Sequence, residues 1–334
     1  MTTRSARLLL ASAAFAAAAA VAGQAAAFGD KEIARQTSFG GSCVKCELSG
    51  RNLAGARIVG ANFSGAALVG ANLREAKFQA SSFAGADLSR ADLSDAGMSG
   101  ANFSGANLSS ARLRSTEARG VHFGSANLTR ADLSDVEATG ANFSRAVMTN
   151  AVLRAAEIRG GHFGSANLTN AILNDVEAAG ANFSRAVLRG ASFRAASLKA
   201  THLSKVDATG ANFQDADLVA ADLSGGRFDR ASFRAAELKT ANLSGATFDG
   251  ADFRDAGLRR TVIAGADLSR ARGLTQDQLD DACGDARTKL PRGLVAKTCH
   301  GVRVIVRPRT PPPPDPPEPP APPEAPRYFV AIGE

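Results

Sequence analysis

From Leu48 to Leu268 an apolar residue returns at every fifth position without insertion or deletion, and 41 of these 45 centres are Leu, Phe, Ile or Met. Two positions before the centre the residue is Ala in 33 of the 45 units, as in Ala141-Asn142-Phe143-Ser144-Arg145. A helix repeats its apolar face every ~3.6 residues and a strand every ~2, so neither sustains a period of five. A mixed unit does. The Ala and the centre, two apart, aim to one side of a short extended segment, and the residue between them aims to the other. The last two residues then turn the chain. Gly fills the last position in 18 of the 45 units, and Ser, Asn, Asp or Arg fill many others, which is turn chemistry.

The aromatic centres report the size of one coil. Phe stands at positions 63, 83, 103, 123, 143, 163 and 183, then at 193, 213, 233 and 253, a spacing of 20 in each series. Twenty residues are four units, so the coil has four sides. The second series is offset by two sides and lies on the opposite wall. The rings are therefore expected to fill the interior from one wall and then the other, never from both at one level. Four centres are only Ala, namely Ala118, Ala138, Ala178 and Ala208, and each follows an enlarged residue, Thr116, Val136, Val176 or Val206. Volume lost at one position returns at the other, as a close-packed interior demands. A longer duplication lies over the short one: 121–148 nearly matches 161–188, a spacing of 40 that keeps each residue on its own wall.

These units resemble the pentapeptide-repeat family, whose pattern is A(D/N)LXX, over about two thirds of the chain. The resemblance implies an all-β solenoid, a right-handed quadrilateral parallel β-helix with stacked coils bonded backbone to backbone. At about 4.8 Å per coil, about 11 coils would make a rod of roughly 50 Å.

The segments outside the repeat divide the rest. Residues 1–27 read as a secretory signal peptide: Arg4 and Arg7 precede an apolar run from Leu8 to Ala22, and Ala25-Ala26-Ala27 offers a cleavage site. Residues 28–47 form an N-terminal cap carrying Cys43-Val44-Lys45-Cys46, and 48–270 are the β-helix. Residues 271–307 are a C-terminal cap. There Thr275 is placed to start a short helix, with Gln278 closing a capping box and Leu274 against Leu279; 301–307 could add a strand. The run from Ala282 to Pro291, with Cys299, resembles the element that often follows such repeats in bacterial proteins. Residues 308–334 hold Pro at 12 of the 19 positions from Pro308 to Pro326 and end in the apolar tip Tyr328-Phe329. That tail is a disordered extension, or an extended spacer whose tip docks on a partner.

The cysteines are expected to form two local disulfides, Cys43 with Cys46 and Cys283 with Cys299, as suits an exported protein; Cys46 could also be a small buried residue at an Ala position. A zinc site shared by both pairs would require the two ends of the rod to meet. A haem attachment needs His after Cys46, where Glu47 stands.

Composition and charge narrow the function. The chain has no Trp, one Tyr and a formal charge of +7, which loss of Arg4 and Arg7 lowers to +5. No like-charge block long enough for a nucleic-acid stripe appears, and no membrane-spanning segment is expected after cleavage. Stacked at spacing 20, one wall carries Glu117, Glu137, Glu157, Glu177, Asp217 and Glu237 beside Arg119, Arg159, Lys199, Lys239 and Arg259. The next alternates Asn102, His122, Asn142, His162, Asn182 and His202. These imidazoles stand two coils apart, about 10 Å, too far to share a metal ion. A third wall presents Arg74, Arg114, Arg154, Arg194, Arg234 and Arg254, a basic ladder suited to an anionic polymer. No catalytic constellation, metal site or cofactor is expected. The expected function is a non-catalytic exported scaffold that binds a protein or anionic envelope polymer through its flat walls. The resemblance also implies an alternative, a DNA-mimicking rod that binds a type II topoisomerase such as gyrase, which needs an acidic surface and a cytoplasmic address. A tail-mediated envelope tether is a second alternative.

Overall fold

The computed structural model describes residues 41–299. The expected signal peptide at 1–27, part of the N-terminal cap, the strand at 301–307 and the Pro-rich tail with Tyr328 and Phe329 lie outside the described residues. Within them, parallel bridges join residues twenty apart, from Ser42↔Asn62 to Asp252↔Arg272, at four positions per coil. Each bridge falls on the outward residue between the Ala position and the centre.

The unit Asn142 to Ala146 shows why the coil closes at this length. The Asn142 N–H donates back to Val121 O of the preceding coil at 2.9 Å, and the Phe143 N–H donates forward to His162 O at 2.7 Å. The Arg145 N–H also bonds forward, to Gly164 O at 3.0 Å, and the Ala146 N–H closes the turn onto Phe143 O at 3.0 Å. One amide remains, that of Ser144, and the Asn142 side-chain oxygen accepts it at 2.9 Å. All five backbone donors are thus paired. The Asn or Asp of the repeat supplies the bond that neither neighbouring coil can make, a side-chain imitation of a backbone turn.

Every fifth residue from Lys45 to Gly265 has φ between +52° and +70°. It is the third residue of its turn, and only there is φ positive, as a type II turn requires. Non-Gly residues such as Ala155 and Ala195 occupy this conformation at 52° and 55°, each at a local cost of about 1–2 kcal/mol.

Inside the coil both inward positions are buried. Thr116 with Ala118, Val136 with Ala138, Val176 with Ala178 and Val206 with Ala208 all face the core. Buried hydroxyls find carbonyls: Thr116 donates to Leu113 O at 3.0 Å and Thr201 to Leu198 O at 2.8 Å. The Phe series stack along the axis, with centroids 4.7 Å apart for Phe143, Phe163 and Phe183. The rule that rings never enter from opposite walls at one level does not hold. Phe183 and Phe193 meet edge-on at 5.8 Å across one coil. Further along, Phe228 and Phe248 enter from an intervening wall and meet Phe233 at 5.6 and 5.9 Å. Gly226 replaces the usual Ala there, where a Cβ would lie 2.6 Å from the Phe228 ring. Tilted and edge-to-face packing is favourable for aromatic pairs, and at Phe228 the missing Cβ of Gly226 supplies the room.

The last coil ends against α1 (Gln276–Leu279), β1 (Cys283–Gly284) and β2 (Lys297–Thr298), with β1 and β2 paired in parallel. Thr275 caps α1, and a capping box joins it to Gln278. The Gln278 amide also donates to Phe253 O and Ala256 O at 2.9 and 2.8 Å. Val262 bridges Cys283 and Asp267 bridges Lys289, offsets of 21 and 22 that end the regular register. Where another coil would present a carbonyl to the Gly265 N–H, Asp285 supplies a carboxylate oxygen at 2.7 Å. Partial burial opposes ionisation of Asp285, but hydrogen bonds from the Gly265 N–H, Arg287 and Thr288 outweigh it and lower its pKa from 3.8 to about 2.

Two outcomes follow from this packing. Phe163→Ala should lower stability by about 3–5 kcal/mol through the cavity it leaves. Gly120→Ala, where the new Cβ meets no atom within 4 Å, should cost only about 1 kcal/mol through backbone strain. Urea unfolding of both variants checks the order, and an equal loss would mean that stacking contributes little. At the cap, the folded pKa of Asp285 lies below its unfolded value. Its contribution is therefore complete above about pH 4 and lost as pH falls through about 2. Hydrogen exchange at the Gly265 amide should lose protection relative to neighbouring coils across that window, and Asp285→Asn should abolish the pH dependence.

Candidate interaction walls

Over residues 101–206 the first wall carries the centres 103, 123, 143, 163, 183 and 203, and the second carries 108, 128, 148, 168 and 188. The third carries 113, 133, 153, 173 and 193, and the fourth 118, 138, 158, 178 and 198. On the fourth wall Glu117, Glu137, Glu157 and Glu177 bridge in succession. Cations two residues further along pair with acids of the same or the next coil. Arg119 reaches Glu137 at 2.6 Å, Arg159 pairs with Glu157 and Glu177, and Lys199 reaches Asp217 at 3.1 Å. Each pair is solvent-exposed and contributes at most about 1 kcal/mol. Together they set a cation against Glu137, Glu157 and Glu177, which would otherwise repel along the axis.

On the third wall the Arg ladder is interrupted by carboxylates. Arg74 pairs with Asp95 at 3.2 Å, Arg114 approaches Asp132 and Asp135 at 3.8 and 3.9 Å, and Arg194 lies 3.8 Å from Asp215. Arg254 binds Asp252 at 2.5 Å; its side-chain hydrogen bond above all, against a smaller desolvation cost and with help from its backbone amide and charge, holds that carboxyl below the usual range. Only Arg154 and Arg234 of the six carry no ion pair among the described residues. The ladder is thus a mixed-charge wall.

On the first wall Asn102, Asn142 and Asn182 each accept the N–H two residues on, at 2.9 Å. His122, His162 and His202 alternate with them. The imidazoles are kept apart by the intervening Asn residues, and no metal-holding cluster occurs among the described residues. Beside His122 and His162, the Gly124 and Gly164 amides have no hydrogen-bond partner among the described residues. Between Arg130 and Arg189 the second wall is neutral and polar, with Asn150, Asn167, Thr169 and Asn170 around an exposed Val147.

All seven acids between 101 and 206, Glu117, Asp132, Asp135, Glu137, Glu157, Asp175 and Glu177, belong to the third and fourth walls. The first and second walls hold none, yet they carry Arg130, Arg145, Arg185, Arg189 and Lys205. Tabulating acids rather than cations at spacing 20 exposes the asymmetry from sequence alone.

Both ends of the described chain are crosslinked. Cys43 is bonded to Cys46 with Cα atoms 5.3 Å apart, and Cys283 to Cys299 with Cα atoms 4.9 Å apart. No free cysteine occurs among the described residues. The second bridge ties β1 to the residue after β2, whose amide donates to Gly284 O.

Comparison with known proteins gives concordant matches. The family description "Pentapeptide repeats (8 copies)" matches overlapping segments from 46–83 to 236–272. Among solved structures, HetL of the cyanobacterium Nostoc sp. strain PCC 7120, a pentapeptide repeat protein involved in heterocyst differentiation regulation, is 31% identical, with 67% of this chain and 91% of HetL covered and a TM-score of 0.37. A pentapeptide repeat protein of the Arabidopsis thaliana thylakoid lumen is also 31% identical, over 30% of this chain and 67% of that one, with a TM-score of 0.23. QnrB1, a plasmid-mediated fluoroquinolone resistance protein, is 19% identical over 69% of this chain and 92% of its own, with a TM-score of 0.25. The search of curated proteins returned no match.

The C-terminal bridge spans 16 residues, so Cys283→Ser with Cys299→Ser should cost about 2–4 kcal/mol. Because the bridge lies wholly in the cap, limited proteolysis should first cut between residues 279 and 299 while the coils stay protected. Equal digestion of both regions would contradict a local role.

Proposed function

We propose a function from one premise: the chain belongs to the pentapeptide-repeat family, whose description matches residues between 46 and 272. On that premise it is a non-catalytic scaffold. More specifically, it is an exported scaffold of the bacterial envelope whose flat walls bind a protein or an envelope polymer. The observation that carries this reading is the pair of disulfides, which uses all four cysteines of the chain. Structural disulfides persist in oxidising compartments and are rare in the cytosol. The basic start, apolar run and small-residue triplet of residues 1–27 support the same address.

The DNA-mimic alternative needs a continuous acidic surface. The column from Glu117 to Glu177 is interleaved with Arg119 and Arg159, which leaves little net negative field for such mimicry. The tail-mediated tether would depend on Tyr328 and Phe329, outside the described residues.

Fractionation of the native host, N-terminal sequencing and thiol alkylation test the address. The expected result is a chain beginning near residue 28, outside the cytoplasm, with no alkylatable thiol before reduction. An uncleaved cytoplasmic chain with free thiols would overturn it, and stoichiometric inhibition of gyrase supercoiling would favour the DNA mimic.

A further inference from the structure

We propose that the first and second walls, between residues 101 and 206, form a binding surface for a linear acidic polysaccharide whose carboxylates engage the corner cations Arg145, Arg185 and Lys205. This deepens the scaffold reading, because it names the wall and the chemical class of the polymer.

Charge segregation is the first support. Over this span the third and fourth walls balance their seven acids with seven cations, Arg112, Arg114, Arg119, Arg154, Arg159, Arg194 and Lys199. The first and second walls carry five cations and no acid. Arg130, Arg145, Arg185 and Lys205 are exposed and have no ion pair among the described residues, whereas Arg189 reaches Asp207 at 2.7 Å. On an ordinary solvated face, cations and acids intermix as they do on the opposite walls of this same molecule. Within 101–206 these walls keep their cations without counter-charges, and the first acid beyond the span on the second wall, Asp207, is taken up by Arg189, a pattern that attracts an anion.

Placement is the second support. Arg145, Arg185 and Lys205 all occupy the left-handed turn position, with φ of 59°, 62° and 58°, at the corner joining the two walls. Arg185 and Lys205 stand on consecutive coils and Arg145 two coils before Arg185, so the charges recur at about 5 and 10 Å. Duplex DNA presents a charge every ~1.7 Å of axis, much denser than this column. A polymer with one charge on each sugar, or on every second sugar, matches it better. The planar guanidinium is also suited to bidentate carboxylate binding.

The surface between the cations selects against other polyanions. Single-stranded nucleic acid is gripped through exposed aromatic platforms, and the Phe residues of this span are buried in the core. Duplex recognition needs an element that enters a groove, and these walls are flat runs of Asn, Ser, Thr, His and Gly. Lipid insertion needs an apolar wedge, and Val147 is the only large hydrophobic residue exposed on them. What remains is a flat hydrogen-bonding plane. Thr129, Asn150, His162 and Asn170 can meet sugar hydroxyls, and the unpartnered Gly124 and Gly164 amides can donate to carboxylate oxygens.

A charge-matched pair of variants tests the assignment. R145E/R185E reverses two free cations of the corner. R154E/R234E reverses two exposed cations of the third wall that carry no ion pair among the described residues, so net charge changes identically. Binding of the full exported chain to polygalacturonate would be measured by surface-immobilised titration at 50 and 200 mM salt, with neutral dextran, polyphosphate and duplex DNA as comparison arms. Circular dichroism and unfolding midpoints confirm that both variants fold. The expected result is salt-sensitive binding to polygalacturonate that R145E/R185E weakens at least tenfold and R154E/R234E less than threefold. Equal losses in the two variants, no binding to polygalacturonate, or tighter binding to polyphosphate or DNA would overturn the proposal. The scaffold reading fails separately: a cytoplasmic chain with free thiols that still bound polygalacturonate through this corner would sink the address and leave the surface standing.

Discussion

The structure depends on one constraint, the left-handed residue that ends each five-residue unit. Without a positive φ from Lys45 to Gly265 at every fifth position, the chain could not turn four times in twenty residues and return beneath itself. Gly makes that turn at little local cost, but most units use Ser, Asp, Arg, Asn or Ala. Each of those is strained by about 1–2 kcal/mol. The strain is offset because the turn residue donates its N–H to the next coil, as Arg145 does to Gly164 O, and because two inward side chains per unit leave water. Stability is therefore a property of neighbouring coils and is absent from an isolated unit.

That dependence explains the chemistry at the ends. In a middle coil three of every five amides bond to the backbone of the coil before or after, as those of Asn142, Phe143 and Arg145 do. The last coil lacks that neighbour on one side, and side chains substitute for it: Asp285 for a carbonyl at Gly265, and the Gln278 amide for the missing donor at Ala256 O. The low pKa of Asp285 has the same origin, since a carboxylate placed where a carbonyl belongs gathers donors that hold it ionised. The bridge from Cys283 to Cys299 then retains the short element that carries these substitutions.

Much of this was legible before any coordinates. Thr116 beside Ala118, and Val136 beside Ala138, identified the inward positions by volume alone, and the Phe series gave the coil length. The Asn of Ala141-Asn142-Phe143 could be read only as an outward polar residue, because its partner amide belongs to a turn whose geometry the residue types do not display. The ion pairs of Arg74 and Arg114 were hidden for a similar reason: the Asp residues they reach lie 18 to 21 residues away, across coils and around corners. Phe228 and Phe248 stand outside the longer Phe series because two residues make a short one, although Gly226 marks the space made for Phe228. The acid-free walls were visible at spacing 20, but only in the positions of Asp and Glu.

The parallel stacking of residues twenty apart has a further consequence. Side chains on one wall stand on a lattice whose pitch is set by backbone hydrogen bonds, about 4.8 Å, and no surface substitution can change it. A partner must therefore match a fixed ruler. Affinity is adjusted by how many successive marks are engaged, as in any multivalent contact. The near-identity of 121–148 with 161–188 is a lengthening of that ruler by two coils, which extends the reach of a wall while leaving its spacing unchanged.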